Sequence, residues 1–194
     1  MEQKSALIAM SGGVDSSVAA LIMKNQGYDT FGVTMKLHFS DKEDSTCLTS
    51  KDIEDARSVC EKLKIPYSVV DFSEDFDKYV INNFIEAYEN GATPNPCIEC
   101  NYHLKFDKLY KYGKERGYDK IVTGHYARIE FDEKYGRRVL KKAEDVSKDQ
   151  SYVLFRLTKE QLEYTIFPLG SYSKDKIREM AEIADLGLSA KKDS

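Results

Sequence analysis

No apolar run in the 194-residue chain approaches the ~20 residues needed to span a bilayer, and Glu2 and Lys4 lead into a stretch too short for a signal-peptide core. A membrane protein and an exported one are both disfavoured, so the expected setting is the cytoplasm. Cysteine is scarce. The four present, Cys47, Cys60, Cys97 and Cys100, read in a reducing compartment as thiols, metal ligands or catalytic groups rather than as a disulfide framework. Positive charge is not in excess either: a net charge of −4 argues against a protein that coats nucleic acid, because phosphate contacts come from clustered Lys and Arg. One local basic stretch exists, Lys134, Arg137, Arg138, Lys141, Lys142 and Lys148, and charge alone reads it equally well as a solvated hairpin. Repeats and low-complexity tracts are absent, and 41% hydrophobic residues suffice for an ordinary globular core.

What the chain does have stands at its start. Ala6-Leu7-Ile8-Ala9-Met10 is an apolar strand pattern, Ser11-Gly12-Gly13-Val14-Asp15-Ser16-Ser17 follows directly, and Val18, Leu21 and Ile22 continue at helical spacing. A glycine-rich turn between a strand and a helix N-terminus is a phosphate cradle: glycine lets the backbone approach a ligand, and the free N–H groups of the first turn favour an anion. The Walker loop requires a Lys followed by Ser or Thr after its last glycine, and that Lys is missing. Asp15 is readable as a helix cap or as a carboxylate that positions Mg2+ beside a pyrophosphate.

Farther along, Gly27 closes the first helix and Thr30 to Met35 gives a second strand. A polar loop (40–50), a helix from Lys51 to Leu63 and a strand from Tyr67 to Phe72 come next. Phe76, Val80, Phe84, Ile85 and Tyr88 then lie on one side of a long helix over 73–90, closed by Gly91. A proline-rich loop carries Asn95, Pro96, Cys97 and Cys100, ahead of a helix from Tyr102 to Arg116 and a strand, 120–123, that stops at Gly124-His125. A hairpin over 128–141 and a last helix capped by Ser173 complete the pattern. The fold class is α/β, a mostly parallel sheet flanked by helices, whose ligands gather beyond the carboxyl ends of the strands, where Ser11, Met35 and Gly124 fall. The expected division is a nucleotide-binding domain over 1–130 and a hairpin with helical tail over 131–194.

Ser-Gly-Gly-x-Asp-Ser-Ser resembles the pyrophosphate loop of the PP-loop ATPases, the adenine nucleotide alpha hydrolase-like enzymes that cut ATP between its α and β phosphates. Adding Thr93-Pro94-Asn95-Pro96, Cys100-Asn101, Lys105-Phe106, Thr123-Gly124-His125-Tyr126-Ala127-Arg128, Lys148-Asp149-Gln150-Ser151-Tyr152, Phe167-Pro168-Leu169-Gly170 and Lys191-Lys192-Asp193-Ser194, the chain resembles the tRNA 2-thiouridylases over nearly its whole length. That resemblance implies adenylation of O2 of uridine 34 in tRNAs of the Lys, Glu and Gln type, followed by sulfur transfer from an enzyme-bound persulfide with release of AMP. It implies that Ala9, Met10, Ser11, Gly12, Gly13, Val14, Asp15, Ser16, Met35 and Gly124 contact ATP. It further places Asn95, Pro96 and Cys97 at the target base, Lys148, Asp149 and Gln150 on tRNA, and Cys100 as first catalytic cysteine, with Cys97 and Asp15 beside it in the chemistry. The sulfur donor would be a cysteine desulfurase, a sulfur relay protein or inorganic sulfide. A PP-loop sulfur transferase acting on a small molecule or another tRNA position, and a nucleotide- or cluster-binding module without turnover, are the alternatives.

Two departures from the family pattern matter. Asp is usual where Cys97 stands, and Cys97-Ile98-Glu99-Cys100 opens three readings: two ligands of a 4Fe-4S cluster, a persulfide and disulfide relay, or a structural zinc or inert pair. The family's second catalytic cysteine follows Lys-Lys-Asp-Ser, where this sequence ends, so the expectation is a shortened homologue whose third cluster ligand comes from elsewhere or from Cys47. Cys60 reads as a small buried hydrophobe, His125 as nucleotide contact or structural residue, and His38 and His103 as packing or surface residues.

Overall fold

The computed structural model describes residues 3–37 and 49–188; His38, Cys47 and the closing Lys191-Lys192-Asp193-Ser194 lie outside them. Among the described residues seven strands are formed: β1 (Ser5–Ala9), β2 (Asp29–Lys36), β3 (Tyr67–Asp71), β4 (Lys120–Val122), β5 (Ala127–Asp132), β6 (Arg137–Lys142) and β7 (Thr165–Ile166). Five of them make one sheet, in the order β3-β2-β1-β4-β7, parallel at every pairing, and β5 and β6 form a separate antiparallel hairpin. The parallel α/β class expected from the alternation is what the chain adopts.

Period-two alternation along β1 explains the layering. Ala6, Ile8 and Met10 enter a core with α1 (Val14–Asn25), α2 (Ser50–Lys62) and the last helix, while Leu7 joins Val33, Leu109 and Ile121 on the opposite face. Cys60 is fully buried in the first of these cores, and burial raises its thiol to about 11. It is the inert packing group its spacing predicts. A third, smaller core, Phe106, Ala127, Val153, Leu154 and Phe167, fastens the hairpin to the sheet domain.

The two longest helical runs are rods with π-type interruptions. α3 (73–89) joins Ser73–Phe76, a π stretch Asp77–Ile81, and Asn82–Glu89; α4 (96–115) joins Pro96–Glu99, a π stretch Cys100–Lys108, and Leu109–Glu115. The π stretches face each other, tied by Lys108 to Asp75 at 2.9 Å and by stacking of Tyr79 on His103 at 4.5 Å. His103 is thus a packing residue. Along α3 only Val80 is buried, whereas Ile85 and Tyr88 are 48% and 70% exposed, so the apolar side read from the sequence is largely uncovered.

α4 begins six residues earlier than the spacing predicts, and the reason is local. Asn95 caps the helix by accepting the Cys97 N–H on Oδ1 at 3.0 Å, and Pro96 occupies the first helical position, where its missing N–H costs nothing. Cys97 and Cys100 therefore stand in the first turns of a helix and not on an extended loop. Two short helices, α5 (Lys159–Tyr164) and α6 (Lys174–Ile183), end the fold, and Ser173 caps α6 through the Lys176 N–H at 3.3 Å.

Candidate active site

Sheet order reverses direction at β1, because α1 leads from β1 to β2 on one side while β4 pairs on the other. The crevice at this switch point is where ligands settle in such sheets. Ser11 to Ser16 line it from β1 and Gly124 from β4. Gly12 has φ +74°, and a Cβ there would come within 2.2 Å of the Asp52 carbonyl oxygen at the start of α2. A Cβ on Gly124 would stand 2.9 Å from both the Asp15 carbonyl carbon and the Ser16 nitrogen. Backbone is pressed against backbone on both sides of the loop, which only glycine permits.

Serine hydroxyls set the loop's shape. The Ser11 N–H donates to Ser16 Oγ at 3.1 Å, and Ser16 Oγ and Ser17 Oγ both donate to the Gly13 carbonyl, at 3.2 and 2.8 Å. Gly13 is the N-cap of α1 and uses no side chain for it. The first turn of α1 keeps its dipole pointed at the crevice, where an anion is favoured. Met10 and Val14 are buried supports, and Ala9 and Met35 pack in the core of the opposite face, at the ends of neighbouring strands.

Asp15 is held by residues that sequence spacing could not connect. Lys174 Nζ, 159 residues away, lies 2.8 and 2.9 Å from its two oxygens, and the Tyr126 hydroxyl donates to Oδ1 at 2.8 Å. Lys174 is only 8% exposed and Tyr126 2%. The only sequence signal near Lys174 was the Ser173 cap; Tyr126 stood inside a recognised motif without a role.

His125 is buried between Phe106 and Phe167, and Thr123 Oγ1 meets its Nδ1 at 2.7 Å. Burial, and secondarily the charge of Lys105, holds its pKa well below 6.5. Folded His125 stays neutral where the unfolded chain takes up a proton, so stability should fall as pH drops below about 6.5, by up to about 1.4 kcal/mol per pH unit until the folded pKa is reached. Urea unfolding between pH 7.5 and 5 measures this, and His125→Gln should flatten the slope.

The two thiols of α4 differ in access. Cys97 is exposed, Cys100 half-buried, and burial pushes the Cys100 thiol up despite the opposing charge of Lys105, with Cys97 raising it further. Cys100 sits one turn inside the helix and away from water, so the fold favours its thiol over its thiolate. Alkylation by iodoacetamide at pH 8, followed by peptide mapping, should modify Cys97 at least about tenfold faster than Cys100, and Cys60 only on unfolding. Among the described residues no group of three or more His, Cys, Asp or Glu is arranged to hold a metal ion. Cys97 and Cys100 stand one helical turn apart in the first turns of α4.

Beside the thiols runs an open groove. One part, about 430 Å³, is lined by Pro94, Asn95, Ile98, Glu99, Phe155 and Arg156. Arg156 pairs with Glu99 at 2.6 Å and lies 3.7 Å above the Tyr102 ring, while Phe155 is 66% exposed. Lys148, Asp149 and Gln150 form a turn after the hairpin. Asp149 accepts the Ala143 N–H at 2.8 Å, and Gln150 bonds both backbone groups of Tyr126, so two of the three serve structure. In the basic stretch, Lys141 pairs with Glu130 at 2.6 Å and Arg138 with Glu163 at 3.2 Å, which neutralises part of its charge.

Comparison with known proteins agrees with this geometry. The family model described as tRNA methyl transferase HUP domain matches residues 4–194. A tRNA-specific 2-thiouridylase MnmA of Clostridioides difficile is 50% identical over 194 residues, covering 98% of this chain and 54% of that protein. One from Clostridium botulinum is 48% identical, covering 100% and 54%. The chain spans about half the length of the curated relatives it matches. Among solved structures, a 4-thiouridine synthetase–RNA complex with bound ATP superposes with TM-score 0.65 at 18% identity, over 97% of this chain and 43% of that one. The U34-tRNA thiolase NcsA of Methanococcus maripaludis, solved with its 4Fe-4S cluster, gives 0.58 at 20%, over 97% and 59%. These two share the fold. The chain belongs to the tRNA methyl transferase HUP-domain family, alongside the tRNA-specific 2-thiouridylases.

Proposed function

We propose that this chain is the adenylating and sulfur-bearing part of an ATP-dependent tRNA uridine 2-thiolase that forms AMP and pyrophosphate. The observations that carry the reading are a Lys-free glycine loop at a helix N-terminus and a dithiol in the first turns of a second helix. The relatives named 2-thiouridylase, half identical in sequence, support it.

First-turn N–H groups of α1, from Val14 to Ser16, would hold the β and γ phosphates, and Gly124 would leave room for the nucleotide at the α1 terminus. ATP is the nucleotide proposed. Asp15 offers carboxylate oxygens of the kind Mg2+ takes, and the ion would share them with Lys174. With the pyrophosphate fixed, uridine O2 attacks the α phosphorus, pyrophosphate leaves, and O2 becomes part of an AMP leaving group. A persulfide on Cys100 then attacks C2 through its outer sulfur, and AMP departs. Cys97 thiolate attacks the inner sulfur, leaving a Cys97–Cys100 disulfide and the thiocarbonyl: the thiols are oxidised as the sulfane sulfur is reduced. Asn95, Pro96 and the Phe155 groove would receive the target base, and Lys148 and its turn would contact the RNA backbone. The hairpin and helical tail over 131–194 would serve as the tRNA-facing part.

Unmodified tRNAs for Lys, Glu and Gln, incubated with ATP, Mg2+ and a cysteine desulfurase with its cysteine substrate to load the Cys100 persulfide, or with sulfide as a nucleophile acting on the adenylated base directly, test the reading by nucleoside mass spectrometry. 2-Thiouridine that requires ATP is the expected product. Its absence under all sulfur sources, or sulfur transfer to a small molecule alone, would overturn the reading. Iron and sulfide analysis of anaerobically prepared protein separates the relay, which predicts none, from a cluster.

A further inference from the structure

The turn after the hairpin and the glycine loop are far apart in sequence and joined by two struts in the fold. In the first, Gln150 donates its N–H to the Tyr126 carbonyl at 2.8 Å and accepts the Tyr126 N–H on Oε1 at 3.0 Å. The same tyrosine reaches across to Asp15 Oδ1 with its hydroxyl, at 2.8 Å. In the second strut, Asp145 Oδ2 accepts the Lys174 N–H at 3.1 Å, and Lys174 Nζ holds Asp15. Asp145 Oδ1 meanwhile accepts from the Ser147 N–H and hydroxyl, at 3.1 and 2.6 Å, and Asp149 accepts from Ala143 and Ser151, so hydrogen bonds brace the 145–150 turn from within. Val146, 72% exposed, shows that the outer side of this turn faces solvent.

A hydrogen bond from a buried neutral hydroxyl to a carboxylate is among the stronger ones in proteins, and Tyr126 has no freedom to follow Asp15 without carrying Gln150 along. Whatever shifts the turn shifts the carboxylate of the loop, and whatever reorients the carboxylate is felt at the turn. We propose that Tyr126 is a positioning residue that couples RNA bound at the 145–150 turn to nucleotide bound at the Ser11–Ser16 loop. The coupling rests on the functional reading above and adds to it that RNA at the turn tightens nucleotide at the loop. Because coupling between two binding sites is reciprocal, nucleotide must tighten RNA by the same factor.

Calorimetry of the 194-residue chain with a non-hydrolysable ATP analogue, alone and with saturating unmodified tRNA for Lys, gives the coupling as a ratio of two affinities. Roughly a tenfold to hundredfold ratio is expected for the unaltered chain, and less than about twofold for Tyr126→Phe, which keeps the ring, its packing and both backbone bonds. The ratio is read independently of the variant's affinity for nucleotide alone, and the reverse titration, RNA with and without the analogue, must return the same number. An equal ratio in Tyr126→Phe, or both ligands binding the unaltered chain with no coupling, overturns the relay and leaves the functional reading standing. No RNA binding at all would defeat both.

Discussion

Replacing Gly124 with alanine is expected to lower affinity for ATP by about fivefold to a hundredfold without unfolding the chain. The methyl group would lie 2.9 Å from the Asp15 carbonyl carbon and the Ser16 nitrogen, and 3.2 Å from the Asp15 Cβ. Two of these three atoms are backbone, so relief must come from pushing the first turn of α1 away from β4. Overpacking of this kind costs about 1–3 kcal/mol, and here it falls on the N–H groups proposed to hold the phosphates. Gly12→Ala strikes the same cradle from the other side, adding a left-handed φ to a 2.2 Å approach to Asp52. Calorimetry with ATP, beside a circular dichroism spectrum of native shape, checks both. Unchanged affinity in either variant would mean that the loop does not carry the nucleotide.

The second large effect separates the two halves of the proposed reaction. Cys100→Ser removes the persulfide carrier while leaving the glycine loop intact, so thiolation should drop more than about a thousandfold while tRNA-dependent pyrophosphate release survives. Cys97→Ser should instead stall inside the first turnover, with AMP released and the uridine held to Cys100 through the sulfur bridge, because without a resolving thiolate that bridge to C2 is not cleaved. Parallel assays of 2-thiouridine and pyrophosphate on the same samples distinguish the outcomes. Loss of both activities together in Cys100→Ser would place that residue in adenylation rather than sulfur transfer.

Local signals were legible in the sequence wherever the physics is local. The strand–turn–helix start around Ser11 to Ser17, Gly27, the Lys51–Leu63 helix, the hairpin over 128–141 and the Ser173 cap all read correctly, since each depends on neighbours within a turn or two. The start of α4 did not, although Asn95-Pro96 is itself a helix-start signal; prolines on both sides of Asn95 gave the stretch the look of a loop. That error mattered for chemistry, because it set Cys100 ahead of a dipole instead of inside a partly buried turn. The π stretches carry no periodicity that differs from α over so few residues. Lys174, Tyr126 and Arg156 were beyond reach for another reason: their partners Asp15, Gln150 and Glu99 are brought to them by sheet order and helix packing, which no spacing encodes. The family resemblance supplied roles for motif residues, but the salt bridges and struts of this chain come only from its fold.

The account stands most directly on how ATP is cut. ATP labelled in its α phosphate, incubated with the chain, Mg2+ and unmodified tRNA for Lys, should yield labelled AMP with pyrophosphate in equal amount, and no labelled ADP. Labelled ADP with inorganic phosphate would place the scission between β and γ and contradict the account.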